Sequence, residues 1–421
     1  MNQKGKITAE SPWEKGWSMK SYPPPTTDIE ADIVIIGGGI TGLLCAYKLM
    51  QGNQKIVLLE ADKIGQGATL YTTAFATQVI DTNIGDLVKM IGAKKADLVW
   101  EGGGQAIKLL EEIVREHEIN CEFMTCSNYM FARTKKEMKL LRLQDEGLKK
   151  INRRSSIKED DVLPFDNLGY IEIQNQAKFH PLKFIAELVN ILERGRVHIY
   201  EQSKILNMTP EKGFIKLQTK EAAIITNDVV VATYYPFNNP KSTLFKKGMY
   251  KSYVLEAKIP AGLFPNAIYE GLDNPYHYFR VDGQKSDDRI IIGGEDHRAD
   301  IKVAEKKNYH ALEQYLRQLI KTDEYEIVRQ WAGPVLEPSD GLPLIGAVKK
   351  HHYIATAFSG NGLTYAGVAA IVLNNLVNGR SHPWQKIYDP KRPPSFKQLW
   401  IKGLDYGEEF FRGAVRNTWR K

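Results

Sequence analysis

Three glycines near the start of the chain have the spacing of a dinucleotide-binding loop. Gly37, Gly39 and Gly42 fit the pattern Gly-x-Gly-x-x-Gly and directly follow an apolar run at residues 33–36. The first glycine permits a tight turn, the second lets a pyrophosphate approach the backbone, and the third lets the next helix pack closely on the strand. Glu60 ends a second apolar strand eighteen residues after Gly42, where a ribose hydroxyl needs an acceptor. The pattern predicts a dinucleotide site, with a glycine-rich turn that binds no ligand as the alternative.

Two further stretches of small residues could contact the same ligand. Residues 67–69 (Gly-Ala-Thr) and 72–74 (Thr-Thr-Ala) could offer backbone amides and hydroxyls to phosphate groups, or form an ordinary turn into a helix. Residues 358–364 (Phe-Ser-Gly-Asn-Gly-Leu-Thr) form a second glycine turn that opens an apolar helix. Its N-terminus could place amides and a positive dipole against a negatively charged group, or the turn could be a tight strand–helix connection only.

Aromatic and titratable side chains in the second half of the chain are candidates to line a substrate cavity. They are Tyr253, His277, Tyr278, Arg280 and His297. Arg280 could bind a carboxylate through two parallel N–H donors, or it could form a structural salt bridge. Each histidine could act as a general base or be a hydrogen-bonded structural residue. Because no clustered ligand spacing surrounds these residues, the sequence predicts no metal site.

The composition is that of an ordinary globular protein. The 421 residues are 43% apolar and 25% charged, with a formal net charge of +7. These values predict two domains and, since there is no long block of Lys or Arg, no nucleic-acid partner. Cys45, Cys121 and Cys126 are too few for a disulfide framework or a four-cysteine metal site, which favours a cytoplasmic location. No apolar run reaches membrane-spanning length, and residues 1–27 lack the apolar core of a signal peptide.

The order of the predicted elements indicates an α/β fold. A Rossmann-like nucleotide-binding domain is expected to carry a second, antiparallel-sheet substrate domain that is inserted in two excursions. Strands rich in aromatic and β-branched residues, between positions 250 and 293, form the second excursion. The predicted segments are an N-terminal arm at 1–28, the nucleotide-binding domain at 29–85, 177–245 and 330–381, the substrate domain at 86–176 and 246–329, and a C-terminal tail at 382–421.

The two ends of the chain have features of their own. Trp13 and Trp17 are predicted to anchor the N-terminal arm on the body of the protein. In the tail, Phe411, Val415 and Trp419 recur every four residues beside an arginine stripe at 412–420, which is the pattern of an amphipathic helix. That helix could pack on the body, dock an acidic redox partner, or make a peripheral contact with a membrane surface.

With both glycine turns placed, the chain resembles the FAD-dependent D-amino-acid oxidase and glycine oxidase superfamily over about residues 32–379. The motifs that carry the resemblance are 37–42 with Glu60, 67–69, 229–233, 340–346 and 358–362. It implies FAD as the cofactor, with the adenine half on the first glycine loop and the flavin pyrimidine facing the second. Amides near Gly362 would then stabilise negative charge at flavin N1 and C2=O when the cofactor is reduced. The cofactor-binding residues implied are Gly37, Gly38, Gly39, Ile40, Thr41, Gly42, Glu60, Ala61, Gly67, Ala68, Thr69, Thr72, Thr73, Ala74, Ala232, Thr233, Gly333, Gly346, Gly360, Asn361, Gly362, Leu363 and Thr364.

Residues 71–74, 293–298 and 384–392 carry a closer resemblance. They are similar to the oxidase-like portion of bacterial oxidoreductases that have a C-terminal Rieske iron–sulfur domain. No Cys-x-His and Cys-x-x-His pair follows Arg392, so the chain is expected to lack the Rieske domain. Glycine oxidase-like members bind the substrate carboxylate with an arginine, and Val335 stands at the corresponding position here.

Two functions follow as hypotheses. The first is an FAD-dependent oxidoreductase that oxidises a C–N bond of an amine or amino-acid-like molecule, with oxygen or a separate protein as electron acceptor. Its catalytic or substrate-binding residues are predicted to be Tyr253, Tyr278, Arg280 and His297. The alternative is a flavoprotein electron-transfer component with a degenerate substrate pocket, which passes electrons to a separate iron–sulfur partner.

Overall fold

The strands of the described residues form two sheets of eight strands each. The computed structural model describes residues 8–14, 19–235, 247–284, 286–301 and 303–393. These sheets confirm the predicted α/β class with a second, mainly antiparallel sheet. Trp17 and the tail helix lie outside the described residues.

The elements of the described residues are as follows. The strands are β1 (Ile29–Ile36), β2 (Ile56–Leu59), β3 (Phe75–Ala76), β4 (Met124–Ala132), β5 (Gly169–Lys178), β6 (His198–Tyr200), β7 (Asn207–Pro210), β8 (Ile215–Gln218), β9 (Ala223–Val231), β10 (Lys247–Pro260), β11 (Ile268–Gly271), β12 (His277–Asp282), β13 (Asp287–Arg298), β14 (Glu326–Pro338), β15 (Leu344–Lys349) and β16 (His352–Thr356). The helices are α1 (Ile40–Leu49), α2 (Ala68–Tyr71), α3 (Ile84–Ile91), α4 (Ala93–Glu116), α5 (Lys135–Lys150), α6 (Pro181–Arg194), α7 (Glu305–Ile320), α8 (Gly362–Val377) and α9 (Gln385–Tyr388), and a 3-10 turn lies at Pro12–Glu14.

The first sheet supplies the edge that carries the glycine loop. Its strand order is β15-β16-β9-β1-β2-β6, and β1 pairs in parallel with both β2 and β9. The register places Ile36 beside Leu59 and Val231, so the loops that follow these three strands meet at one carboxyl edge of the sheet. Helices α1 and α8 pack against each other and on strands of this sheet. Burial on both faces explains why β1 and β2 read as continuous apolar runs.

The second sheet has the order β14-β10-β13-β12-β11-β4-β5-β3, in which β11 and β4 are parallel and the other pairs antiparallel. Strand β14 runs along β10 from the pair Lys247 and Pro338 to the pair Lys258 and Glu326. The sequence predicts a strand only at 326–331, and the predicted domain boundary at residue 330 falls inside β14. This longer strand brings residues 333–336 to the first sheet's carboxyl edge.

The segment at residues 70–74 joins the two sheets, and each of its five backbone carbonyls accepts a hydrogen bond from a buried side chain. We term this segment the clamped loop. Buried carbonyls must be paired, and here the donors come from the N-terminal arm and from the second sheet. The pairs are Ser11 Oγ to Leu70 O (2.7 Å), Trp331 Nε1 to Tyr71 O (3.0 Å), Trp13 Nε1 to Thr72 O (2.8 Å), and Arg280 Nη1 to Thr73 O (3.3 Å) and to Ala74 O (2.6 Å). The predicted anchoring role of Trp13 is therefore confirmed.

Arg280 belongs to a buried ion cluster formed by Lys178, Arg280, Asp282 and Arg289. The Asp282 carboxylate accepts hydrogen bonds from Nη2 of Arg280 (2.7 Å) and of Arg289 (2.8 Å), and it lies 3.1 Å from Lys178 Nζ. The Trp13 ring centroid lies 5.6 Å and 5.4 Å from the two guanidinium carbons, which adds cation–π attraction. Burial alone would raise the pKa of the Asp282 carboxyl, but the three cations outweigh it and hold this pKa well below its usual range.

We expect Asp282→Asn to lower the free energy of unfolding at pH 7 by about 3–5 kcal/mol, because the buried cations Lys178 and Arg280 and the partly buried Arg289 lose their shared carboxylate. Since the pKa of Asp282 is lowered in the fold, its stabilisation is full above the ordinary carboxyl pKa of about 4 and is lost as the pH falls through the lowered value. Urea unfolding should therefore show a difference between the two proteins that shrinks in acid. Asp166→Asn is the control, since it removes an exposed carboxylate 2.7 Å from Lys321 and should change stability little. Equal stability of the Asp282→Asn and native proteins at pH 7 would contradict the assignment.

Trp13→Phe should loosen the clamped loop while keeping a ring in place. The buried Thr72 carbonyl loses its donor, so we expect a loss of about 1–3 kcal/mol in unfolding free energy. Hydrogen exchange of amides around residues 70–76 should accelerate. Trp100→Phe is a matched control, because that indole makes no hydrogen bond among the described residues and lies outside the loop. Unchanged exchange in Trp13→Phe would show that the arm does not order the loop.

Candidate active site

A continuous cleft of about 410 Å³ lies where the carboxyl edge of the first sheet meets the second sheet. One end is lined by the glycine loop after β1 and by residues 60–62 after β2. The other end is lined by the start of α8 and by residues of β10, β12 and β14. The clamped loop lies between them, with Tyr71, Thr72 and Thr73 on the cleft. Because its carbonyls are bound on the other side, this loop can present hydroxyls to a ligand.

The first glycine loop has the close contacts that its spacing predicts. A Cβ atom at Gly42 would lie 1.9 Å from the Gly37 carbonyl oxygen, so only glycine lets α1 begin this close to the turn. Gly37 has φ +115°, and its Cβ would lie 2.8 Å from Ala232 O. Glu60 accepts hydrogen bonds from the backbone N–H of Gly38 (2.6 Å) and of Asp62 (2.9 Å). Its carboxylate is thus fixed at the cleft, where a ribose hydroxyl could donate to it.

The loop at residues 67–69 is joined to the same helix. The Thr69 hydroxyl oxygen accepts a hydrogen bond of 3.3 Å from the N–H of Ile40, the first residue of α1. Gly67 has φ +87°, and a Cβ there would meet no atom within 4 Å. The loop therefore borders open space in the cleft beside the α1 N-terminus, where anions are favoured.

The second glycine turn is held by the segment at residues 77–81. The Gly360 N–H donates to the Asp81 carboxylate (3.0 Å), Asn361 Nδ2 donates to a backbone carbonyl at Val79 (2.8 Å), and the Thr364 hydroxyl donates to the carbonyl of Thr77 (3.0 Å). Gly362 begins α8, lines the cleft, and would place a Cβ in open space. The N-terminus of a 16-residue helix thus opens directly onto the cleft.

These features fit FAD. The cleft has a helix N-terminus at each end, small residues where a ligand would touch backbone, and a fixed carboxylate beside the first turn. The adenosine and pyrophosphate parts would lie at α1 and Glu60, and the ring system at α8. Predicted cofactor residues that line the cleft are Gly37, Gly39, Ile40, Thr41, Glu60, Ala61, Gly67, Ala68, Thr69, Thr72, Thr73, Ala232, Thr233, Gly333, Gly360, Gly362 and Leu363. Five others, Gly38, Gly42, Ala74, Asn361 and Thr364, lie next to lining residues or the loops that carry them. Gly346 does not line the cleft, and it packs against Pro390.

Tyr278 is the one predicted catalytic residue that lines the cleft. Its hydroxyl lies 3.4 Å from Ser252 Oγ, and burial raises its pKa above the ordinary value. A Cβ atom at Gly293 would lie 2.3 Å from Tyr278 Cζ, so this glycine makes room for the ring on the neighbouring strand. Tyr276 lies beside it at 5.5 Å between ring centroids. The second sheet thus presents an aromatic and hydroxyl wall to the cleft.

Arg280 does not line the cleft, so the structure does not support a carboxylate-binding role for it. The side chain is 3% exposed, and its donors are bound by Asp282 and by the carbonyls of the clamped loop. Arg280 instead forms a structural salt bridge with Asp282, which is the alternative prediction. A guanidinium with these partners cannot turn to a ligand without leaving the loop unpaired.

Tyr253, His297 and His277 also lie away from the cleft lining. The Tyr253 hydroxyl is 3.0 Å from His297 Nε2, and the Tyr253 ring lies in the core of the second sheet. His277 lies between the carboxylates of Asp273 (2.7 Å) and Glu295 (3.3 Å). Burial would lower the pKa of His277, but the two carboxylates raise it to about 9. All three residues therefore have structural partners. For the two histidines this is the predicted alternative to a general base.

Several cleft residues are missing from the sequence prediction. Ser252 and Val254 line the cleft on either side of Tyr253, because alternate residues of a strand point to opposite faces. Residues 334–336 line it because β14 continues past residue 331. The sequence predicts that side chains of β10 alternate between two faces of the sheet. It does not show which of these faces meets the cleft.

No helix within the described residues is both long and apolar enough to cross a bilayer. The same part of the chain contains no group of three or more His, Cys, Asp or Glu side chains arranged to hold a metal ion.

Comparisons with known proteins give a consistent result. A model of the DAO family, described as FAD dependent oxidoreductase, matches residues 32–376. A Bacillus subtilis (strain 168) protein named as a Rieske 2Fe-2S iron-sulfur protein, YhfW, is 28% identical, with 97% of this chain and 81% of that protein covered. Gamma-glutamylputrescine oxidoreductase of Escherichia coli (strain K12) is 22% identical, with 86% and 88% covered. Among solved structures, glycine oxidase from Geobacillus kaustophilus has a TM-score of 0.71 at 16% identity, with 87% of this chain and 100% of that chain covered.

The family match extends over most of the chain and includes both glycine turns. It confirms the resemblance drawn from the motifs, FAD as the cofactor, and an oxidoreductase as the class of enzyme. The likeness to glycine oxidase confirms the Rossmann-like fold with its second sheet. The chain belongs to the DAO family of FAD-dependent oxidoreductases.

Proposed function

We propose that this enzyme oxidises a C–N bond of an amine or amino-acid-like small molecule, with hydride transfer from the substrate carbon to flavin N5 and with oxygen or a separate protein as electron acceptor. Bound FAD supplies the hydride acceptor. The protein must therefore bind the substrate, orient it and favour its neutral amine. The names of two proteins to which the chain is similar, gamma-glutamylputrescine oxidoreductase and glycine oxidase, support this substrate class.

The main support for this proposal is that one cleft extends from the first glycine loop to ordered side chains of the second sheet. Tyr278, Ser252 and Val335 line its far end, and the Tyr278 ring is fixed by its fit against Gly293. A wall with ordered hydroxyls and apolar groups suits a small organic molecule with a few polar atoms. This favours an oxidase or dehydrogenase over a protein whose cleft serves the cofactor alone.

Different parts of the cleft have different tasks in this proposal. Glu60 and the first glycine loop would hold the adenosine and pyrophosphate. The amides at the start of α8, from Gly362, would favour negative charge on the pyrimidine edge of the reduced ring. The hydroxyls of Tyr278 and Ser252 would orient the substrate, and the walls of the cleft would exclude water from it.

A second candidate function is an electron-transfer component that works with a separate iron–sulfur protein. The name of the Bacillus subtilis relative, a Rieske iron-sulfur protein, favours it. In that case the flavin would exchange electrons with a protein partner, and no small amine would reduce it.

The test is anaerobic addition of pooled D-amino acids, N-methyl amino acids and polyamines to the FAD-loaded protein, with the visible flavin band as the readout. We expect one pool to bleach the band, because a bound amine would reduce the flavin. A band that no pool bleaches, but that a reduced or oxidised iron–sulfur protein changes, would favour the second candidate and contradict the first.

Gly362→Leu should block cofactor binding without unfolding the protein. The backbone at Gly362 is an ordinary helix start and a Cβ there has free space, so the added side chain should enter the cleft rather than strain the fold. We expect the affinity for FAD to fall about tenfold or more, measured by flavin fluorescence titration, with an unchanged circular dichroism spectrum. Gly362→Ala is the matched control and should keep most of the affinity. Full FAD binding by Gly362→Leu would contradict the placement of the ring system at α8.

A further inference from the structure

The side chains that line the cleft include no cation. In the described part of the chain the lining contains hydroxyls, aromatic and apolar groups, and the carboxylates of Glu60 and Asp62 at the nucleotide end, but no Lys, Arg or His. A ligand that carries a carboxylate next to its reacting carbon would therefore find no opposite charge at the substrate end. Burying such a charge without a partner is costly.

Arginine is present nearby but is used elsewhere. Arg280 is fully engaged by Asp282 and the clamped loop. Val335 lines the cleft with an uncharged side chain. Among the described residues, the substrate end thus has no guanidinium that could recognise an amino-acid carboxylate.

A carboxylate lies next to the lining residue Ser252 at this end, although Asp296 is not itself one of the lining residues. Between the pairs Lys251–His297 and Tyr253–Gly294, the β10–β13 register shifts, which leaves Glu295 and Asp296 opposite Ser252. Asp296 hydrogen-bonds with Ser252, and the residue as a whole is partly open to solvent. Desolvation by the surrounding protein raises the pKa of Asp296 to about 7, and the negative charges of Glu337 and Asp81 add to this effect. A cation bound there would relieve the repulsion, whereas an anion would increase it.

The aromatic side chains near the substrate end also favour a cation. Tyr276 is 39% exposed, Tyr278 lines the cleft, and the edge of Phe75 packs on Tyr278 at 5.8 Å between ring centroids. Aromatic faces attract alkylammonium groups. The wall and Asp296 are separate features that favour the same kind of ligand.

We propose that the substrate is a cationic amine without a carboxylate on the reacting carbon, and that Asp296, positioned by Ser252 beside Tyr278, binds its ammonium group and accepts one N–H proton, which leaves the neutral amine for hydride transfer. This inference rests on the proposed function and specifies the substrate class. It also makes Val335 a determinant of specificity, since an uncharged side chain there leaves no site for an amino-acid carboxylate.

Two non-oxidisable probes of similar shape test the inference apart from turnover. Benzyltrimethylammonium and benzoate are titrated into the FAD-loaded enzyme, and the shift of the visible flavin band gives each dissociation constant. We expect the cation to bind about tenfold or more tightly than the anion, and Asp296→Asn to weaken the cation about tenfold or more. Asp300→Asn, which removes an exposed carboxylate of the same region paired with Arg298 at 2.7 Å, should leave both constants unchanged. Val335→Arg should gain affinity for benzoate.

The outcomes separate this inference from the proposed function. Benzoate binding as tight as that of the cation, or an Asp296→Asn enzyme with unchanged cation affinity, would overturn the inference. Phenethylamine against phenylalanine and cadaverine against lysine, compared by flavin bleaching, give the second readout, and we expect the amines alone to bleach the band. Bleaching by the amino acids would overturn the inference and keep the proposed function. Tight cation binding with no bleaching by any compound would overturn the proposed function and keep Asp296 as a cation site.

Discussion

The cleft depends on the pairing of five backbone carbonyls in the clamped loop. A chain that crosses from one sheet to the other through the interior must find a donor for each buried carbonyl. Ser11, Trp13, Arg280 and Trp331 provide these donors from three distant parts of the sequence. With its carbonyls paired in this way, the loop holds Thr72 and Thr73 in the lining of the cleft. The shape of the cleft is therefore a property of the N-terminal arm and both sheets together.

The same pairing accounts for the charge of the cleft. Arg280 must stay buried to bind the loop, and a buried guanidinium needs a counter-ion, which Asp282 supplies at 2.7 Å. That requirement keeps the Arg280 guanidinium away from the substrate end. The N-termini of α1 and α8 contribute positive potential to the cleft, and both lie where the cofactor is expected. Selectivity at the substrate end is left to hydroxyls, aromatic faces and Asp296.

The parts of the site that could be predicted from sequence are those set by local backbone geometry. Gly37 and Gly42 are required by a turn in which a Cβ at Gly42 would lie 1.9 Å from the Gly37 carbonyl oxygen. The spacing of these glycines therefore predicts the turn directly. The side-chain roles could not be predicted in the same way. Tyr278 and Arg280 lie two residues apart on β12, so the alternation of a strand predicts the same face for both side chains. Their roles differ because Asp282, two residues beyond Arg280, binds the Arg280 guanidinium. The strength of that ion pair depends on burial, which the sequence does not give. The apolar periodicity of residues 86–118 likewise predicts one helix, but Gly92, with φ +83°, separates α3 from α4.

The two candidate functions make demands on different parts of the molecule. Oxidation of an amine requires a wall that holds a carbon atom against the flavin, and Tyr278 and Ser252 belong to such a wall. Transfer of electrons to an iron–sulfur protein requires only that a partner come close to the ring system, so it constrains the outer surface and not the cleft. An enzyme that oxidises an amine and then reduces a protein partner satisfies both conditions. The ordered wall of the second sheet is explained by the first half-reaction alone, which is why it favours substrate oxidation whatever accepts the electrons afterwards.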